Sequence, residues 1–456
     1  MYKRTLIANR GEIALRILRV LNELNIESVV VYTNVDKDLP YVRLADYSVC
    51  IGQDNSKESY LDTYKILSVA TMMNCDSIHP GIGFLAENDK FAALCKTIGI
   101  NFIGPSPEHI LLMGNKNSAK DVADECGLPV IRGGKQSVHS IEEAAEVAQE
   151  IGYPVLLKAA YGGGGKGIRV ANSYCELQER YTICVKEAVA AFGNDELLIE
   201  QYIENTRHIE VQIIGDRYGN MVHLGERECT IQRLKQKVIE ETPCMNIKKE
   251  LREKLLSDSL KLGKYLKYEG PGTIEFLVQP DGKYYFLEMN TRLQVEHTIT
   301  ELITGIDIVK EQFKVSSGQE LSIKQSDIRL NKYALQARIL AESFSNEIFT
   351  NSFGRIEHWY MPSGAGIRVD AGYCAGATVT PYYDSLLAKV CCCDKTKEYA
   401  IKKLQFALRE IEIKGVETNI SILQRILKDK RFFSGEYNEN FFEEITEKTK
   451  RNKMQL

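Results

Sequence analysis

The chain has 456 residues, 44% of them apolar and 26% charged, with a formal charge of −4. That length accommodates two or three domains and a sizeable core, and the composition is that of an ordinary globular protein. A general nucleic-acid binder is excluded, because acidic residues outnumber basic ones and Lys and Arg form no long block. No apolar run approaches the roughly 18 residues that span a bilayer, so no membrane partner is expected. The start, MYKRTLIANRGEIALRIL, is a short strand and an amphipathic helix and has no signal-peptide pattern, so a cytoplasmic location is expected.

In chain order, KRTLIANR predicts a strand and GEIALRILRVLNELN a helix with Ile13, Ile17, Leu18 and Leu21 on one side. ESVVVYTN follows as a strand, YLDTYKILSVATMMN as a helix and INFIG as a strand. This alternation predicts a parallel sheet covered by helices, a Rossmann-like layer. Its first turn, Asn9-Arg10-Gly11-Glu12, has one glycine and therefore lacks a dinucleotide fingerprint. On that first helix Arg16, Arg19 and Glu23 share a face expected to be solvated.

From about Lys135 the pattern changes: helix IEEAAEVAQEIG, strand PVLLKAA, a glycine run, strand GIRV, a helical stretch and strand ELLIEQYI. HIEVQIIGD and MVHLGERECTIQR predict a hairpin, KELREKLLSDSLKLGKYL a helix, and GTIEFLVQPDGKYYFLEMN a second hairpin. The last third mixes strands (YALQARIL, GIRVDAG) with the helix KEYAIKKLQFALREI and ends in a polar stretch expected to fray.

The run Tyr161 to Gly167, YGGGGKG, invites comparison with phosphate loops. It fails the Walker pattern, since the first glycine position is Ala160 and the hydroxyl position after Lys166 is Gly167. It also precedes a strand, where a dinucleotide loop opens a helix. A surface hairpin turn and a mobile flap between two strands both remain open on this run alone.

Twelve cysteines are scattered without a C-x-x-C pair. Cys391-Cys392-Cys393 lies in a strand-like run, where neighbours point to opposite faces, so these read as core residues and not as a metal site.

In the second hairpin a two-residue turn at Asp281-Gly282 places Glu275 opposite Glu288. Like charges facing across a ladder are destabilising unless a cation lies between them, and Mg²⁺ favours such oxygen ligands. This register is conditional, because Pro280 can lengthen the turn and slip it by one. Beyond it, Glu288, Asn290, Arg292, Gln294 and Glu296 alternate, so an extended chain would put all five on one face. That row reads as a solvated strand face or as a catalytic surface.

Lys158 before the glycine run, Glu200-Gln201-Tyr202-Ile203 at a strand end, and the pair Glu275 and Glu288 together resemble an ATP-grasp enzyme. Within that superfamily EMNTRLQVEH is similar to the biotin carboxylase signature, as are ANRGEIALRI, HPGIGFLAEN (79 to 88) and PYYDSLLAKV (381 to 390). The likeness runs from about Tyr2 to Phe442. It implies α/β and α+β architecture: a Rossmann-like N-terminal domain over 1–114, an ATP-grasp domain over 115–330 with a mobile lid at about 132–203, a mixed α+β C-terminal domain over 331–446, and a polar tail.

The resemblance implies ATP with Lys116 and Lys158 at its phosphates and Gly164 and Gly165 in the closing flap. Glu200, Gln201 and the backbone near Ile203 would hold adenine, with His208, Gln232 and Lys235 nearby. Glu275, Glu288 and Asn290 would hold Mg²⁺ or Mn²⁺. Bicarbonate would be gripped by Lys237, Arg292, Gln294 and the Val295 amide, with Glu296 as general base. Arg338 would stabilise the enolate of biotin carried on a partner protein. The implied partners are a biotin carboxyl carrier protein, a carboxyltransferase and a second copy of the chain; the implied pathway is that of acetyl-CoA carboxylase and fatty acid synthesis, or of a related acyl-CoA or 2-oxo acid carboxylase. Two other readings remain: an ATP-grasp paralogue that carboxylates a non-biotin nitrogen, and a nucleotide-binding subunit without turnover.

The chain departs from the family pattern at four places, one of them a pair of residues. Ile82 stands where tyrosine is usual, Lys235 where histidine is usual, Gln336-Ala337 where Glu-Cys is usual, and Thr298 where proline is usual. They gather at the expected biotin and ribose positions. Three bland readings stand beside these: His79 as a structural turn residue, His297 as locally bonded, and Cys229 as a neighbour and not a nucleophile.

Overall fold

The computed structural model describes residues 1–134, 136–160, 168–345 and 348–453. Gly164 and Gly165, with the rest of the glycine run, lie outside the described residues.

Near the N-terminus apolar residues occupy both faces of short strands, which suits a parallel sheet covered on both sides. Strands β1 (Arg4–Ile7), β2 (Glu27–Thr33), β3 (Tyr47–Gly52), β4 (Ser77–His79) and β5 (Asn101–Phe102) form a five-stranded sheet in the order β3-β2-β1-β4-β5. Leu6, Val29, Val31 and Ile78 pack into one core. Ile7 and Val30 pack on the opposite side with helix α1 (Gly11–Glu23). The expected Rossmann-like layer is therefore present, and β3 and β4 are strands that the sequence pattern left unassigned.

The solvated face expected on α1 is corrected at one position. Arg16 is buried and donates to Glu301 Oε1 at 2.9 Å and Asp307 Oδ1 at 2.6 Å. Arg19, three residues on, stays half exposed near Asp370.

A three-stranded antiparallel sheet, β7-β6-β8, follows, built from β6 (Val155–Ala159), β7 (Ile168–Ala171) and β8 (Leu197–Gln201). Helices Ile141–Ile151 and Tyr174–Phe192 give it a small core of its own around Val155, Leu157 and Ile199.

A third sheet is larger. It has eight strands, beginning β13-β12-β9-β10-β11-β14 and ending with Leu386–Asp394 and Ile367–Ala371. Here β9 is Arg207–Gly215, β10 Met221–Arg233, β11 Gln236–Thr242, β12 Gly270–Val278, β13 Tyr284–Asn290 and β14 Tyr333–Leu340. β11 pairs with β14, so the central strands run without a break into the C-terminal strands.

On one face of this sheet Ile209, Val211, Ile213, Ile274 and Phe276 pack under helices Lys116–Glu125 and Lys249–Tyr265. Strand alternation puts His208, Glu210, Gln212 and Glu275 on the opposite face. The three cysteines divide as expected: Cys392 lies in one core, Cys391 and Cys393 in another. The final helix, Phe441–Lys453, continues through residues expected to fray.

At Gly372 an added Cβ would come within 2.5 Å of Glu12 N. Only glycine allows this C-terminal backbone to approach the start of α1 so closely. Among the described residues no helix is long and apolar enough to cross a membrane.

Candidate active site

Glu210 of β9 is paired with Glu275 of β12, and Glu275 with Glu288 of β13. Three glutamates therefore stand in a row across three neighbouring strands, an arrangement that repels itself unless cations intervene. Lys237 supplies one, with Nζ 2.5 Å from Glu210 Oε2, 2.9 Å from Glu275 Oε1 and 2.6 Å from Glu296 Oε1. Arg227, wholly buried, supplies another at 2.5 Å from Glu210 Oε1. Burial pushes the Glu275 pKa up, but Lys237 and His208 more than offset it and hold the carboxyl well below its usual range. Glu288 shifts the other way: burial, then the Glu275 carboxylate, push it up, and Lys116 offsets only part.

The pairing of Glu275 with Glu288 arises differently from the two-residue turn expected. Near the turn, Val278 faces Tyr284 and Gln279 N donates to Lys283 O, so the loop has the extra residue that Pro280 allows. Alone, this would slip the register and put Leu287 opposite Glu275. A β-bulge between Glu275 and Phe276 takes the slip back and returns Glu288 to the facing position.

The extended row from Glu288 to Glu296 is also corrected. β13 ends at Asn290, and a loop leads to the helix His297–Thr304. The side chains still converge, because the loop folds back over the sheet. Gln294 Nε2 donates to Glu275 Oε1 at 2.8 Å, Asn290 Nδ2 to the same oxygen at 2.9 Å, and Arg292 to Asn290 Oδ1 at 2.9 Å. His297 is buried and bonds the Gln294 carbonyl at 2.7 Å, as the local reading expects.

Glu296 is flanked on both sides. Lys237 reaches one oxygen, and Arg338 reaches the other at 2.9 Å. Burial raises its pKa, but Lys237, Arg338 and Arg227 outweigh this, so the carboxylate stays ionised well below the usual range. Arg338 is itself held by Glu240 at 2.5 Å, and Arg292 by Glu87 at 2.7 Å. Cys229 is buried within this cluster, and burial pushes its thiol well above the ordinary value, so it is no nucleophile.

Across the cleft, Glu200 sits opposite Leu156 and Lys158 opposite Leu198, which puts Lys158 and Glu200 diagonally on one face of the small sheet. Glu200 Oε1 accepts from Lys158 at 2.6 Å and from Lys120 at 2.8 Å. Gln201 N donates to Arg132 O at 2.8 Å, and Ile203 is buried just beyond. Lys116 opens the helix Lys116–Glu125, where burial lowers its pKa. On β9 and β10, His208 Nδ1 lies 2.9 Å from Gln232 Nε2. Lys235 occupies an exposed turn with Leu234, both at positive φ.

The sequence reading missed Lys120, Glu210, Arg227, Glu240 and Glu87. Glu210 carries a signal in retrospect, since His208, Glu210 and Gln212 alternate polar with apolar in HIEVQIIG. The others become neighbours only through the fold.

Glu275, Glu288 and the Asn290 oxygen form a hard-donor set with one under-compensated carboxyl, which fits a divalent cation. Two other groups bring ligand atoms together, His208-Glu210-Glu275 and Glu210-Cys229-Glu296. Lys237 already sits among their carboxylates, so these are ion-pair clusters.

An antiparallel sheet facing a small β-lid across an acidic, lysine-rimmed cleft defines an ATP-grasp fold. Residues 1–110 match the biotin carboxylase N-terminal domain, 115–324 the ATP-binding domain of the carbamoyl-phosphate synthase L chain, and 336–444 the biotin carboxylase C-terminal domain. Biotin carboxylase 1 of Bacillus subtilis is 47% identical over 97% of this chain and 98% of its own length. The 2-oxoglutarate carboxylase small subunit of Hydrogenobacter thermophilus is 46% identical over 97% and 94%. A solved biotin carboxylase domain dimer of that organism's 2-oxoglutarate carboxylase, in complex with MgADP, ADP and bicarbonate, superposes with a TM-score of 0.95. It is 45% identical over 98% of this chain and 99% of that one. The chain belongs to the biotin carboxylases, ATP-dependent ligases that carboxylate biotin with bicarbonate.

Proposed function

We propose that the chain carboxylates biotin on a carrier protein as the first half-reaction of acetyl-CoA carboxylase, in the cytoplasm and as a homodimer. The observation that carries the chemistry is the position of Glu296 between Lys237 and Arg338, beside the facing pair Glu275 and Glu288.

Lys116 and Lys158 hold the ATP phosphates. Glu200, Gln201 and Ile203 bind the adenine, with His208, Gln232 and Lys235 towards the ribose. Glu275, Glu288 and Asn290 would hold Mg²⁺ or Mn²⁺, which when bound neutralises charge on the phosphate oxygens.

Lys237, Arg292, Gln294 and the Val295 amide grip bicarbonate. Its oxygen attacks the γ-phosphorus, ADP leaves, and Glu296 takes the proton. A carboxylate held so far below its usual pKa is a weak base. Bicarbonate corrects this by drawing Lys237 towards itself, which lets the Glu296 pKa rise as the anion binds. Carboxyphosphate then splits to CO₂ and phosphate, the phosphate takes the ureido proton, and Arg338 faces the enolate that attacks CO₂.

Bicarbonate-dependent ADP release, measured with and without free biotin and alongside labelled carboxybiotin, tests the reading. Stimulation by biotin is expected; its absence at high biotin would favour a different nitrogen acceptor. The likeness to the 2-oxoglutarate carboxylase subunit supports a second reading, in which a 2-oxo acid is the final acceptor. Reconstitution with carrier and carboxyltransferase, supplied with acetyl-CoA or 2-oxoglutarate, separates the two.

A further inference from the structure

Two of the four departures from the family pattern, Thr298 and Gln336, are 38 residues apart in sequence and touch in the fold. Gln336 lies at the centre of a row across three strands, facing Glu240 of β11 on one side and Cys391 on the other. Thr298, in the helix His297–Thr304, covers it. All four side chains are wholly buried.

The amide orientation follows from its neighbours. Thr298 Oγ1 donates to Gln336 Oε1, and Cys391 Sγ donates to the same oxygen at 3.4 Å. Gln336 Nε2 is then turned to Glu240, donating to Oε2 at 3.0 Å. Glu240 Oε1 in turn accepts from Arg338 Nε at 2.6 Å and from its terminal nitrogen at 2.5 Å. The same guanidinium reaches Glu296 Oε2 at 2.9 Å. A buried carboxylate with two fixed oxygens can aim a guanidinium; one with a free oxygen can rotate.

We propose that Gln336, oriented by Thr298, is a positioning residue that fixes Glu240 and through it sets where Arg338 points towards biotin. This rests on the assignment of Arg338 to the biotin enolate. Apart from Arg338 and Glu296, the titratable groups around this row are Lys237 on β11, Cys229 on β10, and Cys391 beside Arg368 and Lys389. None of them lies between the amide and Glu240.

Gln336→Met keeps the volume and removes the donor to Glu240. Its KM for biotin is expected to rise about tenfold or more, the scale of one hydrogen bond to a charged group, while its KM for ATP changes less than about twofold. Gln336→Glu is the second variant. It keeps an acceptor for Thr298 but sets two buried carboxyls side by side, so the donor to Glu240 exists only while the pair holds a proton.

Its biotin-dependent rate is therefore expected to approach that of the unaltered protein at low pH and to fall as rising pH takes the proton from the pair. That readout also decides the matter if Gln336→Met does not fold. An unchanged KM for biotin in Gln336→Met, an equal rise in both KM values, or a pH profile in Gln336→Glu parallel to that of the unaltered protein would each overturn the proposal. Absence of biotin stimulation in the unaltered protein would instead overturn the functional reading on which it rests.

Discussion

Lys389 Nζ donates to the carbonyl oxygen of Val295 at 3.0 Å and faces Glu12 Oε2 at 3.0 Å. The side chain is wholly buried, and its contacts join the N-terminal helix, the loop after β13 and the C-terminal strands. A lysine in such a place is costly unless paired, and this one fixes the loop that presents the Val295 amide. Lys389→Met is expected to raise the KM for bicarbonate tenfold to a hundredfold, the range for a lost charged hydrogen bond, and to affect nucleotide affinity much less. Steady-state kinetics with bicarbonate and ATP varied separately checks this.

Glu296→Gln keeps the shape of the proposed base and removes its charge. Bicarbonate-dependent turnover is expected to drop by about 10² to 10⁴, the usual contribution of a general base. Nucleotide binding, measured by calorimetry with ADP, should survive, because the ion pairs of Glu296 among the described residues are with Lys237 and Arg338.

Glu288→Gln should move stability and function in opposite directions. Burial, and then the Glu275 carboxylate, raise the Glu288 pKa, and the variant removes the charge that both disfavour, so without a divalent cation it should be as stable as the unaltered protein or up to about 1 kcal/mol more stable. Its affinity for Mn²⁺ in the presence of ADP should fall at least tenfold, read from the resonance of the free ion. A variant that bound Mn²⁺ normally would remove Glu288 from the metal set.

His79 supplies a pH dependence of stability. Gly81 N donates to Nδ1 at 3.0 Å, so Nε2 carries the hydrogen that meets Gln312 Oε1 at 3.1 Å, in keeping with a structural turn residue. Burial, aided by Arg16 and opposed by the Gln312 bond, lowers its pKa to about 3 from the ordinary 6.5. The unfolded chain takes up a proton below about pH 6.5 that the folded one refuses. Stability is therefore full above that value and lost as pH falls, by up to about 5 kcal/mol near pH 3. Between pH 7 and 5, His79→Gln should lose less stability than the unaltered protein by up to about 2 kcal/mol, as read from urea unfolding at each pH.

Strand and helix periodicity was enough to place three strands of the N-terminal parallel layer and the two hairpins, because alternation is a local property. Glu275, Glu288 and Glu296 were legible as candidates from strand alternation, and Lys158 through the family resemblance. Three matters were decided only by tertiary structure. The bulge beside Glu275 restores a register that the turn alone would lose, and a bulge leaves no fixed mark in composition. The loop after Asn290 brings Arg292, Gln294 and Glu296 together by folding back, where a straight strand would have spread them over about 13 Å. Finally, the partners that tune the site, Glu210, Glu240, Lys120, Gln336 and Lys389, come from strands and helices far apart in the chain. They meet their partners only in the folded chain, so no local pattern announces them.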